Sequence, residues 1–127
     1  MPGITGTWVS AEKLGESGFG VEVLPNNQLL VEWYAFGTTG GQAYVGGTGA
    51  IRGNQATITA FQITGPGALF PPNFDPQRAG PTEWGTVVAT FTDCNNGEIH
   101  WSSSVPGFGS GTMAIMRLTQ PVGLTCP

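Results

Sequence analysis

A succession of short runs, each alternating apolar with polar or small residues and each ended by glycine, asparagine or proline, constrains this chain most. Period-two alternation places successive side chains on opposite faces of a strand. From Gly18, the residues Phe19, Val21 and Val23 share one face, and Pro25-Asn26-Asn27 then turns the chain. In Gln28 to Phe36, one face carries Leu29, Val31, Trp33 and Ala35; the other carries Leu30, Glu32, Tyr34 and Phe36. Both faces are largely apolar, so neither is simply solvated. After a turn at Thr38 to Gly41, Gln42 to Ile51 holds Gly46, Gly47 and Gly49, which mark bulges, bends or close backbone approach. Gly53-Asn54 turns into Gln55 to Ile63, where Ala56, Ile58 and Ala60 oppose Thr57, Thr59 and Phe61. Further runs span Glu83 to Thr92, Glu98 to Ser104 and Ser110 to Leu118. Asp93-Cys94-Asn95-Asn96-Gly97 reads as a hairpin, with Asn-Gly favouring a type I′ turn. With a short strand at Trp8, the count is about eight, and no helix or fixed-period repeat is evident. A meander of this kind closes on itself. The expectation is an all-β fold, a single antiparallel up-and-down β-barrel over residues 1–127.

Glycine and proline, at 21 and 10 residues, bring the chain near the composition of disordered segments. Four Trp, seven Phe and 39% hydrophobic residues, set in alternating runs, point instead to a folded protein with many tight turns. A length of 127 residues suits one domain with one core. The net charge is −4 and no basic stripe exists, so nucleic acid is not an expected partner. No Lys/Arg-rich amphipathic helix is present for a membrane surface, and no apolar run approaches the ~20 residues of a spanning helix. No signal peptide is visible, and Met1-Pro2-Gly3 is compatible with a start trimmed at a cleavage site. The sequence does not fix an oligomeric state.

Thr64 to Thr82 breaks the pattern. It is rich in glycine and proline and carries Leu69, Phe70, Phe74, Asp75 and Arg78. Structureless loops beyond ~12–15 residues are uncommon and often functional. Two readings stand side by side: a packed cover over one barrel mouth, or a binding loop that uses Phe70, Phe74 and Arg78.

Cys94 lies at a hairpin turn and Cys126 beside the C-terminus. A disulfide between them would pin the tail to the barrel, stabilising by roughly 3 kcal/mol in the chain-entropy model. Such a bond requires an oxidising compartment. With a low charge and Lys13 as the only lysine, it leads us to expect a secreted or periplasmic protein.

Gly6-Thr7-Trp8 near the start and Arg117 near the end resemble the calycin superfamily of lipocalins and avidins, in which such a Trp packs against a cation of the last strand. The resemblance implies that Trp8 and Arg117 plug one end. A guanidinium over an indole is favourable, and its donors can cap carbonyls. The bland alternative is a core Trp and a surface Arg. Gly6-Thr7-Trp8, Glu16-Ser17-Gly18-Phe19-Gly20, Glu32-Trp33-Tyr34 and Asp93-Cys94-Asn95-Asn96-Gly97 together resemble, over nearly the whole chain, a group of small bacterial secreted or envelope β domains without an assigned activity. That likeness implies fold and export, and no ligand. The biotin-binding residues of avidins have no counterparts here.

Candidate chemistry is sparse. In Glu98-Ile99-His100-Trp101, Glu98 and His100, the only histidine, share a face and would suit an acid–base pair or an exposed polar surface. Glu22 and Glu32 flank one turn, and Glu32 shares its face with Leu30, Tyr34 and Phe36. A carboxylate among aromatics suits a ligand-facing acid, a catalytic acid or a satisfied core group. One His and two Cys cannot build an ordinary zinc site, and Asp93 with Asn95 offers too few oxygens for calcium. Gly109-Ser110-Gly111 is no nucleophile elbow, and Gly46-Gly47-Thr48-Gly49 lacks the lysine and helix of a phosphate loop. No metal or cofactor is expected.

Trp33, Tyr34, Tyr44, Trp84 and Trp101, with nearby amides and hydroxyls, form either a neutral ligand surface or the filling of a small barrel. The expected function is a non-catalytic binding module for a small polar or carbohydrate-like ligand. Its site would lie in the barrel mouth and use Glu32, Tyr34, Tyr44, Phe70, Phe74, Arg78, Trp84 and Trp101. The alternatives are a minimal hydrolase or lyase using Glu32 or His100, and a cell-envelope interaction domain.

Overall fold

A computed structural model describes residues 2–63 and 67–126. Eight strands form a closed barrel in sequence order: β1 (Gly6–Ser10), β2 (Gly18–Leu24), β3 (Gln28–Phe36), β4 (Gln42–Arg52), β5 (Gln55–Ile63), β6 (Pro81–Phe91), β7 (Asn96–Ser103) and β8 (Ser110–Arg117). Every neighbouring pair is antiparallel, and β1 pairs with β8 to close the wall. No α-helix occurs among the described residues. The architecture is that expected from the alternation, and it is compatible with a calycin-like barrel.

Alternation sorts the side chains as the pleat requires. Phe19, Val21, Leu29, Val31, Trp33, Val45, Ile58, Val87, Ile99 and Ile115 are buried in one core. Leu30, Glu32, Tyr34 and Phe36 therefore face outward from β3. Turn chemistry fits the hairpins. Asn26 and Asn27 both take left-handed φ, 63° and 58°, between β2 and β3. The β6–β7 connection departs from the expected Asn-Gly turn. Gly97 lies inside β7 opposite Phe91, and the reversal is made at Asp93. Its Oδ1 accepts from the Asn95 amide at 2.7 Å and the Asn96 side chain at 3.0 Å. Those donors hold the Asp93 carboxyl below the usual carboxylate range.

One pole is sealed. A 3-10 turn at Pro2–Ile4 buries Ile4 beneath it, and the Trp8 indole donates to the Ile4 carbonyl at 2.9 Å. Arg117 lies across from Trp8, with its guanidinium carbon 5.3 Å from the indole centroid. It donates to the carbonyls of Cys94 (2.7 Å), Thr5 (3.1 Å) and Gly3. Partial burial lowers its pKa. Cys94 and Cys126 form a disulfide that straps the tail over this pole.

The other pole carries the β1–β2, β3–β4, β5–β6 and β7–β8 connections. β6 begins at Pro81, which pairs with Ile63, so the long connection is shorter than the expected Thr64–Thr82. Thr64, Gly65 and Pro66 lie outside the described residues.

Candidate functional site

Between these connections the barrel interior opens into a cavity of about 350 Å³. Its walls are aromatic: Trp33, Trp84 and Trp101 from β3, β6 and β7, Phe36 at the end of β3, and Phe108 from the β7–β8 loop. Ala35, Ala43, Val45 and Met113 complete the apolar lining.

The rings interlock edge to face. Trp33 meets Trp84 with centroids 5.8 Å apart and Trp101 at 5.5 Å, while Trp84 meets Phe108 at 5.4 Å. Two indole donors are spent within the protein. Trp33 Nε1 donates to the Ser17 hydroxyl at 3.0 Å, and Trp101 Nε1 to the Phe108 carbonyl at 3.4 Å. Trp84 Nε1 has no partner, the only buried side-chain polar atom of that kind among the described residues.

A bulge puts Trp84 there. Ala60 pairs with Gly85 and Phe61 with Glu83, so Trp84 is the extra residue between two pairs. Bulges re-aim a side chain where a ladder is interrupted. Gly85 permits this bulge, because its φ is 151° and a β-carbon there would strike the Ser102 carbonyl. The Trp84 carbonyl is fixed by the Ser103 hydroxyl at 2.7 Å and the Ser104 amide at 3.0 Å. Trp84 is 1% exposed.

Of the residues expected in the mouth, Trp84 and Trp101 line the cavity. Glu32, Tyr34 and Tyr44 do not line this cavity; the strand pleat places them on the opposite face of β3 and β4, where Tyr34 and Tyr44 border a neighbouring hollow with Leu14, Phe36 and Gln42. There they form a unit of their own. Glu32 Oε2 accepts from the Tyr44 hydroxyl at 2.9 Å and the Tyr34 hydroxyl at 3.3 Å. Glu32 stands between Gly20 and Gly46 on the adjoining strands. A β-carbon at Gly20 would come within 3.4 Å of its Oε1, and one at Gly46 within 3.4 Å of the Tyr44 oxygen. Burial, the hydrogen bond to Glu32 and its negative charge push the Tyr44 pKa up to about 12. Burial, the Glu32 charge and the hydrogen bond also raise that of Tyr34.

Phe70, Phe74 and Arg78 are likewise not among the cavity's lining residues. Phe70 is 87% exposed, and Arg78 faces Asp75 at 3.4 Å on the surface. His100 is exposed on the outer face of β7, with Nδ1 3.1 Å from the Thr112 hydroxyl. Since β3 and β7 stand four strands apart in an eight-stranded ring, Glu32 and His100 lie on opposite sides and cannot share a substrate. Trp8, Arg117, Cys94 and Cys126 gather at the sealed pole. No three His, Cys, Asp or Glu side chains come together to hold a metal ion among the described residues.

Ser17, Phe108 and Met113 belong to the cavity and were not expected there. The visible trace in the sequence is Pro106-Gly107-Phe108-Gly109, an aromatic bracketed by glycines between two strands. Neither a family model nor a curated protein matches this chain. The cavity and the outer Glu32 unit thus stand on their geometry alone.

Proposed function

We propose that this protein is a non-catalytic binding module whose site is the aromatic cavity at the unsealed pole. The observation that carries this reading is the cavity itself: about 350 Å³, walled by three tryptophans and two phenylalanines. That volume falls within the ~300–1,000 Å³ range of small-molecule sites. The Cys94–Cys126 disulfide supports an oxidising compartment, and the likeness to secreted and envelope β domains supports the same placement.

Three of the four tryptophans line the cavity, which makes indole fluorescence a direct reporter. A fragment library of small ring compounds should give saturable changes in emission that disappear in Ala43→Phe, a variant that fills the space. Equal responses in the filled variant would overturn the reading.

A further inference from the structure

Beside the mouth lies a second hollow, of about 660 Å³, and we propose that it binds a methylated ammonium group, the cationic head of a small organic ligand. It is lined by Tyr34, Phe36, Gln42 and Tyr44 from β3 and β4, and by Leu14 and Glu16 from the β1–β2 connection. The residue across from Tyr34 on β2 is Gly18, so no side chain covers that flank of the ring. Tyr34 is 52% exposed and Phe36 60%, which leaves ring surface open to a ligand. The Tyr34 and Tyr44 rings lie with centroids 5.1 Å apart and planes inclined by 51°, so together they present an angled aromatic surface.

The charge around this surface decides the ligand class. Both phenol protons are donated to Glu32 Oε2. A phenol that donates to a carboxylate takes up part of its negative charge, and its ring face becomes a better seat for a cation. Glu16 puts a second carboxylate at the hollow; its countercharge, Lys13, stands 3.9 Å away and is itself largely exposed, so it neutralises Glu16 weakly. An anion would meet two carboxylates here. A sugar would find the tyrosine protons already committed to Glu32, with the Gln42 amide the main side-chain donor left for its hydroxyls. A primary ammonium brings three N–H groups that each need an acceptor. A methylated nitrogen brings the charge without that demand. Its methyl groups pack against Leu14 and Phe36 while the charge lies over the tyrosine faces, the arrangement by which aromatic surfaces hold quaternary ammonium ligands.

The test uses a matched pair, choline and 3,3-dimethylbutan-1-ol, which share a shape and differ by a charged nitrogen in place of a carbon, with methyl glucoside as the polyol probe. Each is titrated into the native protein and followed by NMR. We expect choline to bind about tenfold tighter than its neutral isostere. Its N-methyl signal should move upfield under the ring currents and show nuclear Overhauser contacts to the ring protons of Tyr34 and Tyr44. Tyr34→Leu, a change at a half-exposed position outside the core, should lower choline affinity about fivefold and remove the preference over the isostere. Glu32→Gln should lower it about threefold. The contacts in the native protein decide the matter even if a variant does not fold. Equal binding of the pair, no saturable binding of choline, or tighter binding of methyl glucoside overturns the inference. So do choline contacts to Trp33 or Trp101 in place of the tyrosines, which would put the cation in the mouth. The mouth reading stands or falls separately, on the fragment library and the filled variant.

Discussion

Trp8 and Arg117 face one another across the β1–β8 seam, and the guanidinium that covers the indole also gathers the carbonyls of Gly3, Thr5 and Cys94. One side chain thus joins the first strand, the β6–β7 turn and the N-terminal 3-10 turn. Arg117→Ala leaves those carbonyls and the Trp8 face without their partner. A cation–π contact contributes about 0.5–2 kcal/mol and a charged hydrogen bond about 1.5–3 kcal/mol, with part of each recovered from water. The expected loss is about 2–4 kcal/mol in denaturant unfolding. Arg117→Lys should recover less than half, since an ammonium cannot span the same acceptors.

The Cys94–Cys126 bond closes a loop with a sequence separation of 32. Reduction, or Cys126→Ser, should lower stability by about 3–4 kcal/mol in the chain-entropy model. The circular dichroism of the barrel should persist, because neither cysteine lies in a strand. Unfolding curves with and without reductant measure the difference.

The strands and their order were legible in the sequence because alternation and turn residues agree along almost the whole chain. The direction of each face was not. In β3 the inward set Leu29, Val31 and Trp33 is hardly more apolar than the outward set Leu30, Tyr34 and Phe36. Glu32 among aromatics therefore reads equally well as a cavity acid or an outer one. What decides it is the closure of the ring, a property of all eight strands together. The bulge that turns Trp84 inward was equally hidden, since it is a mismatch in pairing between β5 and β6. The turn at Asp93 was mislaid by two residues because its Asx hydrogen bonds compete with the Asn-Gly signal beside it.

Glu32→Gln tests the outer unit. The native Tyr44 pKa of about 12 exceeds the ordinary value of about 10. The folded state then holds the phenol proton more tightly than the unfolded chain does. This contribution to stability is complete below about pH 10 and is lost as pH rises through about 12. Replacing the carboxylate should bring the Tyr44 pKa down toward 10 and flatten the alkaline loss. Phenolate absorbance and unfolding at about pH 9 and 11 would show both effects. A Tyr44 that titrates unchanged in the variant would refute the assignment.

Gly49 packs so closely against β5 that a β-carbon would strike the Thr57 carbonyl and come within 3.1 Å of Ile58 Cδ1. Gly49→Ala should cost about 3 kcal/mol or more. Gly53, in the β4–β5 turn, has φ 64° and nothing within 4 Å of such a carbon. Gly53→Ala should cost only about 1 kcal/mol, the penalty of the left-handed backbone. Thermal melts of the two variants distinguish a steric demand from a conformational one.

Tension applied between Gly6 and Arg117 would act at a single pole, where β1 begins and β8 ends side by side. Such a pull opens a strand pair like a zipper, one hydrogen bond at a time. The disulfide changes the path of the load. Force carried by the tail enters at Cys94, in the β6–β7 turn, and leaves the β1–β8 seam largely out of line. The aromatic chamber, at the opposite pole, is the part of the wall most insulated from a tug on either end.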